Sequence, residues 1–103
     1  MSHFSQASYL SRSADIAART LGDDTIIMST LHSTIFMLNG TGTLIWNSAD
    51  GRTPFSAIVQ AVAGEFEVSG EQAQADAEQF VSELVEHHLL FVSDVPVLQV
   101  EVQ

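Results

Sequence analysis

Cysteine and lysine are both absent from this sequence. Without cysteine the fold has no disulfide, no thiolate-ligated zinc and no thiol nucleophile. Arg12, Arg19 and Arg52 are the only strong cations. Nucleic-acid binding draws much of its affinity from neutralising phosphates with lysine and arginine, and three scattered arginines do not supply that. DNA and RNA are therefore not expected as partners, and neither is an anionic membrane surface. Long apolar runs are missing as well: none comes near the ~20 residues that a membrane-spanning helix needs. Residues 1–10 show no basic stretch followed by an apolar one, so no secretory signal is read and the cytoplasm is the expected location.

What the sequence has in excess is carboxylate. Thirteen acidic residues against three arginines give a formal charge of −10. Such a surface keeps a chain soluble, and it also steers basic partners toward it. Hydrophobic residues make up 46% of the 103, enough for one compact core in a chain of single-domain length. No internal repeat, linker or low-complexity tract divides it. Residues 1–15 read as a flexible N-terminal extension, 16–93 as the folded domain and 94–103 as a C-terminal tail.

The stretch from Thr34 to Gly51 organises the rest. Thr34 to Leu38 is β-branched and apolar, as a strand is. Asn39 stands where a helix N-cap would, its side chain placed to accept from the first orphan N–H groups. Leu44, Ile45 and Trp46 give a short helix its apolar face, and Gly51 reads as its stop. Upstream, Ile16 to Leu21 reads as a first strand, Gly22-Asp23-Asp24 as a turn and Thr25 to Thr30 as a second strand. Three short strands with tight connections make an antiparallel meander, which needs helices over one face. Those helices follow. Thr53-Pro54 reads as a helix start, with Thr53 as cap and Pro54 in the first turn. Phe55, Ile58, Val59, Val62, Ala63 and Phe66 then recur at helical spacing. Ser69 and Gln72 fit a reciprocal capping box at the head of a third helix. Its apolar face is Ala73, Ala77, Phe80, Val81, Leu84 and Val85. Leu89 to Val92 is apolar again, either a last short strand or the seat of the helix end. Val97 to Val102 alternates apolar and polar, a strand or a free tail.

Strands and helices in separate blocks indicate an α+β fold of winged-helix-like type, a three-stranded antiparallel meander followed by three helices. Winged helices commonly bind DNA through the third helix. Here that helix carries Glu71, Asp76, Glu78, Glu83 and Glu86 and no lysine or arginine, so it repels phosphate. No catalytic constellation is read, the chain is not expected to be an enzyme, and no cofactor is implied. The histidines are His3, His32, His87 and His88. Glu83 and His87 share a helix face, but two ligands do not make a zinc site. His87 and His88 fit better against the negative end of the third helix's dipole. Gly40-Thr41-Gly42 is too short to cradle a pyrophosphate, and no serine motif sits on a sharp strand-to-helix turn.

Leu38-Asn39, Thr41-Gly42, Ile45-Trp46, Asp50-Gly51, Thr53, Ile58-Val59, Phe66, Val68, Asp76, Phe80-Val81, Leu84 and Leu89-Leu90 together resemble the PqqD-like family, named for the pyrroloquinoline quinone (PQQ) biosynthesis protein D. The likeness spans residues 16–92. The ordered set LN-x-TG-x-x-IW followed by DG-x-T carries most of it. Ser48 and Ala49 depart from the bulky apolar residues usual before Asp50, and Glu78 replaces a commonly apolar residue. The pathway served therefore stays open among PQQ biosynthesis, lasso-peptide biosynthesis and other modified peptides. The resemblance implies a recognition element (a peptide chaperone) for ribosomally made, post-translationally modified peptides. Such a domain binds the leader of a precursor peptide and presents it to a modifying enzyme such as a radical-SAM enzyme or a leader peptidase. The leader adds as a strand to the edge of the third strand, in a groove lined by the third helix.

On that footing the expected peptide-binding residues are Thr34, Ile35, Phe36, Met37 and Leu38 of the strand and Ala73, Asp76, Ala77, Phe80, Val81 and Leu84 of the helix. Asp76 and Glu83 are expected to meet basic leader residues at the rim. Which alternate set of strand side chains faces the helix stays open. The physical basis is that an outer strand presents main-chain groups as a template for a guest strand. Two alternatives stand beside it: an acidic winged-helix transcription-related protein, and a structural dimerisation module in which a second copy covers the strand as a homodimer.

Overall fold

The computed structural model describes residues 5–14, 16–30 and 33–96. The elements in chain order are β1 (Tyr9–Arg12), β2 (Ile16–Leu21), β3 (Asp24–Ser29), β4 (Thr34–Leu38), α1 (Gly40–Ser48), β5 (Asp50–Pro54), α2 (Phe55–Phe66), α3 (Gly70–Glu86) and β6 (Leu90–Ser93). The fold is α+β, with three helices and two three-stranded antiparallel sheets. The first sheet is the expected meander, in the order β2-β3-β4. Gly22, at φ +65°, turns its first hairpin in the left-handed region that glycine enters without steric cost.

The second sheet, ordered β5-β1-β6, corrects the sequence reading. Tyr9–Arg12 is its central strand, not part of a loose extension. Leu10 is fully buried there. The strand's partners, Asp50–Pro54 and Leu90–Ser93, lie far along the chain, so no local pattern announces it. The N-terminal segment also caps α2. Its Ser8 carbonyl accepts from the Phe55 N–H at 2.8 Å, and its Gln6 carbonyl accepts from the Ser56 N–H at 3.0 Å. Those are orphan donors of the first turn, so α2 needs no side-chain cap. Thr53 is thus not the cap. Its hydroxyl donates instead to the Asp50 carboxylate at 3.2 Å, inside β5. Asp50 also accepts from the N–H groups of Arg52 and Thr53 at 2.8 and 2.9 Å. Burial pushes its carboxyl up, but these three donors and the Arg52 charge together hold it below its ordinary value.

The helix signals hold with smaller changes. Asn39 caps α1, its side chain accepting from the Gly42 N–H at 3.0 Å. The helix ends at Ser48, before Gly51, which serves at φ +80° within β5. Ser69 accepts from the Gln72 N–H at 3.1 Å, but the Gln72 amide reaches forward to Asp76 at 2.8 Å, so only half of the capping box forms. At the end of α3 the Leu89 N–H reaches the Leu84 carbonyl at 2.8 Å and the His88 N–H reaches Val85 at 3.0 Å. That is a Schellman ending, with His88 left-handed at φ +62° where glycine is usual. Leu89 to Val92 becomes β6, displaced by one residue. Val97 to Val102, like His3 and His32, lies outside the described residues.

One core joins the layers. Leu10, Ile27, Ile45, Phe55, Ile58 and Leu90 are fully buried in it. Each such side chain contributes about 1.5–3 kcal/mol relative to an exposed one. A buried hydroxyl pair, Thr25 with Thr43 at 2.9 Å, ties β3 to the first turn of α1 and so fixes where that helix leaves β4.

Candidate functional site

β4 is an outer strand. An antiparallel ladder uses the main-chain groups of every second residue, and the alternate residues turn theirs away from the partner. Among the described residues no strand pairs with the outer side of β4. Alternation also settles its faces. Phe36 and Leu38 sit opposite Ile27 and Thr25 of β3 and turn inward with them. Ile35 and Met37 turn to the other face, 60% and 74% exposed.

Beside β4 runs α3, and the two do not close on each other. Three cavities lie in the gap and share walls, so they form one furrow. The first, about 190 Å³, is lined by Ser29, Thr34, Phe36, Glu86, His87 and His88. The middle one, about 240 Å³, is lined by Phe36, Met37, Leu38, Asn39, Phe80, Glu83 and Leu84. The last, about 340 Å³, is lined by Asn39, Thr41, Gly42, Asp76, Gln79, Phe80 and Glu83. As β4 runs from Thr34 to Leu38, the facing part of α3 runs back from His87 to Phe80.

Local features hold this shape. The Phe80 ring lies over Gly42, so closely that a Cβ on Gly42 would sit 2.7 Å from Phe80 Cε1 and 3.2 Å from Leu38 Cβ. Glycine is what lets α1 and α3 approach there. At the other end the rings of Phe36 and His87 lie 4.9 Å apart, tilted by 57°. The walls carry the carboxylates of Asp76, Glu83 and Glu86 and no arginine. Such a channel offers apolar surface, main-chain hydrogen bonds along one side and negative charge at the rim. Among the described residues no three histidine, aspartate or glutamate side chains gather as a metal site would require.

The expected binding residues divide. Thr34, Phe36, Met37, Leu38, Asp76, Phe80 and Leu84 line the furrow. Of the two residues on the exposed face of β4, Met37 borders the furrow and Ile35 does not line it. Ala73, Ala77 and Val81 are fully buried and offer a guest no surface. The reason is helical period: the stripe Ala73, Ala77 and Val81 points into the core, the neighbouring stripe Asp76, Phe80, Glu83 and His87 faces the furrow, and Leu84 borders both. Ser29, Asn39, Thr41, Gly42, Gln79, Glu86, His87 and His88 were not expected as lining. The sequence did carry a signal for part of that set, the spacing i, i+4, i+7, i+11 from Asp76 to His87.

Residues 24–90 match the sequence model of the family described as Coenzyme PQQ synthesis protein D (PqqD). That span runs from β3 through the start of β6 and contains the whole furrow. Among solved structures the chain is similar to TbiB1 in complex with the TbiA(beta) leader peptide. The TM-score is 0.71 at 22% identity, over 78% of this chain and 93% of that one. At that identity the likeness establishes the shared fold. No curated protein sequence matches the chain.

Proposed function

The chain belongs to the PqqD family, and from that premise we propose that it is a peptide-binding adaptor: it takes the leader of a ribosomally made precursor peptide as an added strand on β4 and presents it to a modifying enzyme. The observation that carries this reading is the outer strand with a continuous furrow beside it. The solved complex of TbiB1 with a leader peptide, on the same fold, supports it. Main-chain hydrogen bonds to β4 give affinity for an extended guest, and alternate guest side chains entering the furrow give selectivity. The adaptor does no chemistry of its own and needs no cofactor. Its enzyme partner is a radical-SAM enzyme or a leader peptidase, and its location is the cytoplasm. No helix among the described residues is long and apolar enough to cross a membrane.

The test is fluorescence anisotropy with a synthetic leader from a precursor gene adjoining this one. Binding at micromolar affinity or tighter is expected. Proline at position 36 or 37 removes one N–H of β4, and at one of the two that N–H is the one aimed at the guest. That variant loses binding while circular dichroism shows it folded. Two folded variants that bind as the parent does exclude strand addition.

A further inference from the structure

The apolar side chains of the furrow meet in its middle, and its carboxylates stand toward both ends, Glu86 beside His87 at one and Asp76 and Glu83 near Asn39 at the other. The middle brings together Phe36, Leu38, Phe80 and Leu84, and Asn39 and Glu83 also reach the wall there. Toward Asn39 the walls carry Asp76 and Glu83. Among the described residues no arginine lines the furrow beside either carboxylate. Arg19 pairs with Ile26 on the opposite face of the meander, and Arg12 and Arg52 belong to the second sheet. Asp76 accepts a hydrogen bond from the neutral Gln72 amide, which brings no opposite charge.

A guest strand on β4 turns every second side chain toward α3, about 7 Å apart. One such side chain fills the apolar middle. The next inward position, two residues along, comes to the cavity whose wall carries Asp76 and Glu83. We infer that the furrow selects an extended segment in which a bulky apolar side chain is followed, two residues toward the Asn39 end, by lysine or arginine. The ligand class is thus a basic-apolar strand, and Asp76 and Glu83 are its specificity-determining residues. Opposite charges at the rim of a desolvated groove discriminate among guests more than they add raw affinity. This inference rests on the strand-addition reading.

The probes are fluorescein-labelled strand peptides on one threonine-valine background. Each has a central leucine, with lysine, glutamine or glutamate two residues to either side so that both strand directions are covered. A fourth replaces the central leucine of the glutamine peptide with threonine. Anisotropy is read against the parent chain, the D76N/E83Q variant and the D23N/D94N variant, which loses equal charge away from the furrow. The lysine peptide is expected to bind at least about 3-fold tighter than the glutamine peptide, and the glutamate peptide more weakly still. D76N/E83Q abolishes that order and D23N/D94N keeps it. If both variants weaken the preference equally, bulk charge explains it and the inference fails. If the charged peptides bind alike while the central threonine weakens binding, the basic preference fails and the strand-addition reading stands. If no peptide binds, both fail.

Discussion

Gly42→Ala probes the packing that keeps the furrow open. The new methyl would lie 2.7 Å from Phe80 Cε1 and 3.2 Å from Leu38 Cβ. Carbon atoms in contact prefer about 3.5–4.0 Å, so the ring must move by roughly 1 Å. Phe80 is only partly buried, and the space on its free side is the furrow. Two effects oppose each other. Alanine in place of a helical glycine contributes about 0.5–1 kcal/mol. Overpacking costs about 1–3 kcal/mol. The net is a loss of about 1 kcal/mol, with the ring displaced into the middle cavity. Urea unfolding measures the first part, read by fluorescence of Trp46, the single tryptophan, which is 3% exposed. For a denaturant slope of about 1–3 kcal/mol per molar the midpoint falls by roughly 0.3–1 M. Leader binding weakens in the same variant. A midpoint that rises, with binding unchanged, would refute the close approach of Phe80 to Gly42.

Two further outcomes follow from the backbone and from Asp50. Glu67 and His88 end α2 and α3 in the left-handed region, at φ +52° and +62°. Glycine at either position stabilises by about 0.5–1 kcal/mol, because an L side chain there strains against its own backbone; calorimetry should show Tm up by a few degrees, and a fall contradicts the assigned conformation. The Asp50 carboxyl is held below its ordinary value of 3.8 in the folded chain. Its contribution is therefore fully present above that value and is lost as pH falls through the lower, folded one. The stability gap between the parent and Asp50→Asn should be constant near neutral pH and shrink in acid, and a gap independent of pH in urea titrations removes the role given to its donors.

Much of the frame was legible where the signal is local. The bounds of β2 and β4, the Asn39 cap and the apolar stripes of α2 and α3 follow from alternation, capping and helical period. The second sheet was not. β1 is four residues long and gains its identity from partners far along the chain. β5 contains Gly51 and Pro54, which argue against a strand, yet as an edge strand it tolerates both. The site was half legible for a related reason. An apolar run marks β4 as a strand, but apolar periodicity on α3 picks out the stripe that is buried. The stripe facing the furrow mixes Asp76, Phe80, Glu83 and His87, a pattern that reads as solvated helix until the fold places β4 across from it.

Hydrogen–deuterium exchange with and without a saturating leader peptide tests the central claim most directly. Strand addition predicts slowed exchange at the outward amides of residues 34–38 and quieter changes along 76–87, with β1, β5 and β6 unaffected. Protection that falls on the second sheet, or a β4 that exchanges as fast with the peptide as without it, would contradict the account.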